Sequence, residues 1–171
     1  MSPVAWAQSN PHAEYDLKAA FLFNFAKFID WPPGSFTSPE APFTICILGR
    51  DPFGHGLDES LQGKMIRARP LAVRRLKDKT EARSCQMVFV SSTESAQLTE
   101  LLESLRGANV LLVGETNGFA AAGGTIELTL EDNHVRFTIN VDAAGRASLT
   151  FSSKLLALAK VVHDEGPPKG A

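Results

Sequence analysis

The sequence predicts an α/β fold: a three-layer sandwich whose mostly parallel six-stranded sheet carries helices on both faces and ends in a C-terminal antiparallel hairpin. Three observations lead there. Short apolar, β-branched runs recur at 43–49, 69–76, 86–91, 108–113, 124–130 and 134–140. Segments of helical period fall between several of them, at 55–61, 94–105 and 117–121, so successive strands are joined by crossovers and run parallel. The last two runs are separated only by Glu131-Asp132-Asn133, a tight polar turn that pairs its flanks antiparallel.

Size and charge bound the function. With 171 residues, 44% of them apolar, one core is enough, because a chain of this length buries roughly 70% of the surface it exposes unfolded. That core needs neither a metal nor a dense set of disulfides. The domain is expected over 14–164, between a tail at 1–13 and a disordered tail at 165–171. Seventeen Lys and Arg against 19 Asp and Glu give a net charge of −2, which supplies no global field for nucleic acid or anionic lipid. No run of about 18 apolar residues exists to span a bilayer.

In order along the chain, Ala5-Trp6-Ala7 before Gln8 has the small-x-small form of a signal-peptidase site, so 1–13 reads as the remnant of a secretory signal. Glu14 to Asp30 is a mostly buried helix. Its polar residues Asp16, Asn24, Lys27 and Asp30 share one narrow arc, Lys18 lies away from that arc, and four phenylalanines fall within eight residues. Core packing is their ordinary role, but Phe21, Phe25 and Phe28 are candidates for a subunit or partner surface. Trp31-Pro32-Pro33-Gly34 stops the helix. Cys46 then lies in the first strand and Cys85 opens the third, either as buried thiols or as a bridge.

Between Lys64 and Lys79 lie seven basic residues opposed only by Asp78. Pro70 places this strand at a sheet edge, where positive charge discourages edge-to-edge pairing. The same charge makes Arg67, Arg69, Arg74 and Arg75 candidates for an anion site or an acidic partner. Ser92 or Thr93 can cap the helix carrying Leu98, Leu101, Leu102 and Leu105. Gly118 to Gly124 supplies a small-residue loop before the fifth strand. A final helix over 151–164, capped by Ser152 or Ser153, presents Leu155, Leu156 and Leu158 as further interface candidates.

No catalytic set assembles. Gly54-His55-Gly56 lacks the third glycine of a dinucleotide fingerprint, with Glu59 in its place, and the four histidines show no ligand spacing. No cofactor or metal is implied. An open α/β sheet offers one generic binding place, the carboxyl ends of its strands, which puts Arg50, Asp51, Glu115 and Thr116 forward as a solute pocket.

Five segments in order, KAAFLFNFAKFIDWP from Lys18, ICILGRDPFG from Ile45, SCQMVFVS from Ser84, VLLVGETNGFAAAGGTIEL from Val110 and VRFTINVDAAGRASLTFSSKLLALA from Val135, resemble the YfiR family of bacterial periplasmic proteins. The resemblance implies a dimeric, non-catalytic repressor. Such proteins bind the periplasmic sensor region of an inner-membrane diguanylate cyclase, lower cyclic di-GMP and biofilm formation, and are sequestered by an outer-membrane lipoprotein. It also implies a disulfide between Cys46 and Cys85. A second cysteine pair found in some relatives near the fifth strand is absent, since 120–128 contains no cysteine. The alternative function is a periplasmic solute-binding domain.

Overall fold

The computed structural model describes residues 11–164, so residues 1–10 of the expected 1–13 tail and the whole expected 165–171 tail lie outside them, while Pro11 to Ala13 already belong to the first helix. Helix α1 (Pro11–Phe28) leads into a short strand β1 (Ile29–Asp30), and β2 (Phe43–Leu48) follows a loop tightened at Pro33–Ser35. Then come α2 (His55–Leu61), β3 (Met65–Ile66), β4 (Arg69–Leu76), β5 (Met87–Val90), α3 (Leu98–Ser104) and β6 (Leu111–Gly114). The chain continues through β7 (Ile126–Glu131), β8 (His134–Asn140), α4 (Val141–Arg146), β9 (Thr150–Phe151), α5 (Ser153–Leu158) and β10 (Lys160–Val162).

Eight strands form the main sheet, in the order β10-β8-β7-β6-β5-β2-β4-β3, while β1 and β9 pair separately. All six expected strands are present, and β3 and β10 extend them at the two edges. Every neighbouring pair is parallel except β7–β8 and β3–β4, so the mostly parallel sheet with its antiparallel hairpin is as expected.

Alternation along the central strands builds two cores. In β2, Phe43, Ile45 and Ile47 face α1 and α2, whereas Cys46 and Leu48 face α3. Met87 and Phe89 of β5 and Leu111 and Val113 of β6 join the first set; Val88, Val90 and Leu112 join the second. Successive side chains of a strand point to opposite faces, so a run buried throughout must be covered twice. The Cys46–Cys85 disulfide lies in the second core, with its Cα atoms 6.2 Å apart, and ties β2 to the start of its neighbour β5.

Three local readings differ from the sequence expectation. The final helix stops at Leu158, because Lys160 to Val162 gain ladder bonds as a strand beside β8. Ser91, rather than Ser92 or Thr93, accepts the capping bond, from Thr93 N–H, and it caps a 3-10 segment that precedes α3. Residues 117–121 form turns without a helix. There Phe119 is buried flat against Gly114 and Gly124; a Cβ on Gly114 would lie 2.6 Å from its ring, so both positions require glycine.

Two hairpins turn on two residues with positive φ. Asp132 and Asn133 (50° and 63°) are residue types that tolerate the left-handed region, but Arg67 and Ala68 (48° and 67°) connect β3 to β4 in the same conformation. Arg67 is fixed there by Asp30 at 2.5 Å and by the Ile29 and Lys27 carbonyls. Ala68 has no comparable anchor among the described residues. Relief of its left-handed strain predicts that Ala68→Gly raises unfolding free energy by about 1 kcal/mol in urea titration. A loss of stability would show that no strain resides in this turn.

Candidate functional site

The carboxyl ends of β2, β5 and β6 meet where the chain leaves β2 toward one face and β5 toward the other, the place where open sheets form crevices. Here the crevice is filled by the protein's own side chains. Gly49 follows β2 with φ of 91°, and a Cβ there would lie 2.6 Å from Glu94 and 2.7 Å from Thr93. The Thr93 hydroxyl accepts from Arg50 N–H at 3.1 Å. Asp51 accepts from Phe53 N–H at 2.7 Å and from Arg75 at 2.9 Å.

Glu115, one residue beyond β6, belongs to a buried ionic clamp. Its carboxylate takes Lys18 Nζ at 2.7 Å and the Tyr15 hydroxyl at 2.9 Å, while Lys18 also reaches Glu14 at 2.6 Å. The Lys18 side chain is only 4% exposed. Burial and the Glu115 carboxylate together push the Tyr15 phenol well above its ordinary range, so it remains a donor at any physiological pH. Tyr15 meets Phe53 edge-on at 5.5 Å, and Phe53 meets Phe89 at 4.9 Å, which joins the clamp to the first core. Thus α1 is pinned across the carboxyl end of the sheet. Of the four expected pocket residues, Asp51 and Glu115 are engaged internally, and none of the four lines either the cavity between α3 and α4 or the hollow beside His55 and Leu71.

Lys18 and Tyr15 were not among the residues singled out for this site. The available signal was a lysine outside the polar arc of an otherwise apolar helix, four residues after Glu14. A cation on an apolar face requires a buried partner, although its long-range partner Glu115 was not legible from α1 alone.

The basic segment is also used from within. Arg69 donates to the Ser38 and Ala41 carbonyls and lies 3.6 Å over the Phe36 ring; Arg74 donates to Ser84 Oγ at 3.0 Å. Arg75 pairs with both Asp51 and Asp58 and holds the Asp58 carboxyl below its ordinary range. β3 covers only Arg69 and Pro70 of the outer edge of β4, so these charges line a largely open edge. Exposed pairs of this kind contribute at most about 1 kcal/mol each.

The apolar candidates divide sharply. Phe25 (0%) and Leu155 (5%) are core residues and offer no surface to a partner. Phe21, Phe28 and Leu156 are half-buried against the same core, and Phe21 contacts Phe25 and Phe137. Leu158 is 75% exposed, close in sequence to the edge strand β10, where Val161 is 46% exposed.

The sequence matches the YfiR/HmsC-like family over residues 15–160, and the chain belongs to that family. Two solved structures share its fold. One is the ABC domain in complex with L-Trp from Streptococcus pneumonia, with a TM-score of 0.50 and 11% identity over 75% of this chain and 57% of that one. The other, a conserved domain protein from Vibrio cholerae O1 biovar El Tor str. N16961, gives a TM-score of 0.51 and 11% identity over 70% of this chain and 54% of that one. The chain therefore spans little more than half the length of either. No curated protein matches it in sequence. No helix among the described residues is long and apolar enough to cross a membrane.

The clamp has a measurable signature. Lys18→Met leaves two carboxylates without their buried cation and is expected to cost roughly 3 kcal/mol or more. Glu115→Gln in that background removes one of the stranded charges and should recover at least about 1 kcal/mol in a double-mutant cycle. Strictly additive losses would mean that Lys18 and Glu115 are not coupled.

Proposed function

We propose that the protein is a non-catalytic periplasmic regulator that binds the periplasmic sensor region of an inner-membrane diguanylate cyclase and holds the cyclase inactive, lowering cyclic di-GMP and biofilm formation. The family match over 15–160 carries this reading. The Cys46–Cys85 disulfide supports it, because such bonds persist in oxidising compartments. A repressor without turnover acts by differential affinity, and a preference of several kcal/mol for the inactive sensor is enough to empty the active state. The engaged polar groups at the carboxyl ends of the strands favour this reading over a solute pocket at Arg50, Asp51, Glu115 and Thr116.

The exposed Leu158 at the end of α5 and Val161 of the edge strand β10 are the proposed contact for the cyclase. Sequestration by an outer-membrane lipoprotein and homodimer formation belong to the same proposal. Co-purification with the periplasmic regions of the host's membrane diguanylate cyclases tests it. The expected result is stoichiometric capture of one of them, raised cyclic di-GMP when the protein is deleted, and capture weakened at least about tenfold by Leu158→Glu. Absence of capture together with unchanged cyclic di-GMP on deletion would overturn it.

A further inference from the structure

The connection from β6 to β7 is parallel yet contains no helix. A parallel crossover usually covers the sheet with a helix, but Gly118 to Gly124 has only Phe119 as a large side chain, and Phe119 turns inward. The α3 face of the sheet is therefore thin beside α3, and a cavity of about 440 Å³ opens between α3 and α4. That volume lies within the range of small-molecule sites, roughly 300 to 1,000 Å³.

The walls have a defined chemistry. Leu102, Leu105, Val110 and Leu112 give it an apolar interior, and the small residues Ala122, Ala143 and Ala147 leave it empty where larger ones would fill it. It is a braced hollow, since Asn109 donates to the Ala147 carbonyl at 2.9 Å and so holds α4 to the loop before β6. Two arginines line it as well. Arg146 is paired with Asp164, whereas no carboxylate among the described residues lies within ion-pair distance of Arg106. Glu103 is the one carboxylate in the lining.

From this arrangement we propose that the α3–α4 cavity is a binding site for a small apolar monocarboxylate, whose hydrocarbon body fills the leucine-lined interior and whose carboxylate meets the Arg106 guanidinium. Glu103 sets the charge count, because it penalises a second negative group and so disfavours dicarboxylates. The guanidinium provides a forked donor matched to one carboxylate. The site is independent of the cyclase reading: it lies beside α3, on the sheet face opposite α1, and shares no residue with Leu158 and Val161.

Amide chemical-shift titration of the full chain with octanoate, octanedioate and 1-octanol tests the assignment. Octanoate is expected to give saturable shifts at amides 105–112, 122–125 and 143–147, with octanedioate and octanol at least about tenfold weaker. Arg106→Gln, at an exposed position, should reduce octanoate to the level of octanol, and Ala122→Phe, also exposed, should block it by filling the mouth. Absence of saturation at those amides up to about 10 mM would overturn the site. Equal binding of the three probes, or octanoate binding unchanged in Arg106→Gln, would overturn the ligand class.

Discussion

Strand β2 has no exposed residue. Phe43, Ile45 and Ile47 are covered by α1 and α2, Cys46 and Leu48 lie toward α3, and β4 and β5 flank it on either side. Burying a large aliphatic or aromatic side chain contributes roughly 1.5–3 kcal/mol, against at most about 1 for an exposed ion pair. The two-sided burial of β2, β5 and β6 therefore outweighs every surface interaction described, and it dictates where helices must go. Cys46 points into the α3 face, so the disulfide reinforces the layer with less helical cover. The same shortage of cover beside α3 leaves the hollow next to α4.

The clamp of Lys18 with Glu14 and Glu115 depends on that scaffold. Only because α1 crosses the sheet at the carboxyl end of β6 does a lysine from its first half reach a carboxylate nearly a hundred residues later. The place that open sheets usually give to a ligand is thus spent on holding α1. Holding α1 rigidly in this way is compatible with the proposed role, in which the protein presents a fixed shape to a partner.

Much of the sheet was legible because its signals are local. Alternating or continuous apolar runs located all six longer strands, and the polar Asp132-Asn133 turn located the hairpin. What escaped depends on partners distant in the chain. Lys160 to Val162 becomes a strand only because β8 offers an edge, and the two-residue β3 exists only as the other arm of a hairpin whose turn residues, Arg67 and Ala68, carry no turn signature. At the candidate sites, Cys46 and Cys85 were identified as a pair through family resemblance. The arginines of β4 looked free because charge in a sequence says nothing of carbonyls such as those of Ser38 and Ala41 that consume it.

Native-state amide hydrogen exchange, with and without reduction, shows whether β2, β5 and β6 open as one doubly covered layer braced by the Cys46–Cys85 bond. Amides of 45–48, 87–90 and 111–114 are expected to exchange only through global unfolding. Reduction, which opens a link between residues 39 apart in sequence, should lower all their opening free energies by one common amount. The chain-entropy argument puts that amount at about 4 kcal/mol, less any strain in the bond. Distinct sub-global opening energies for the three strands, or no change on reduction, would show that they are not one cooperative unit held by the bond.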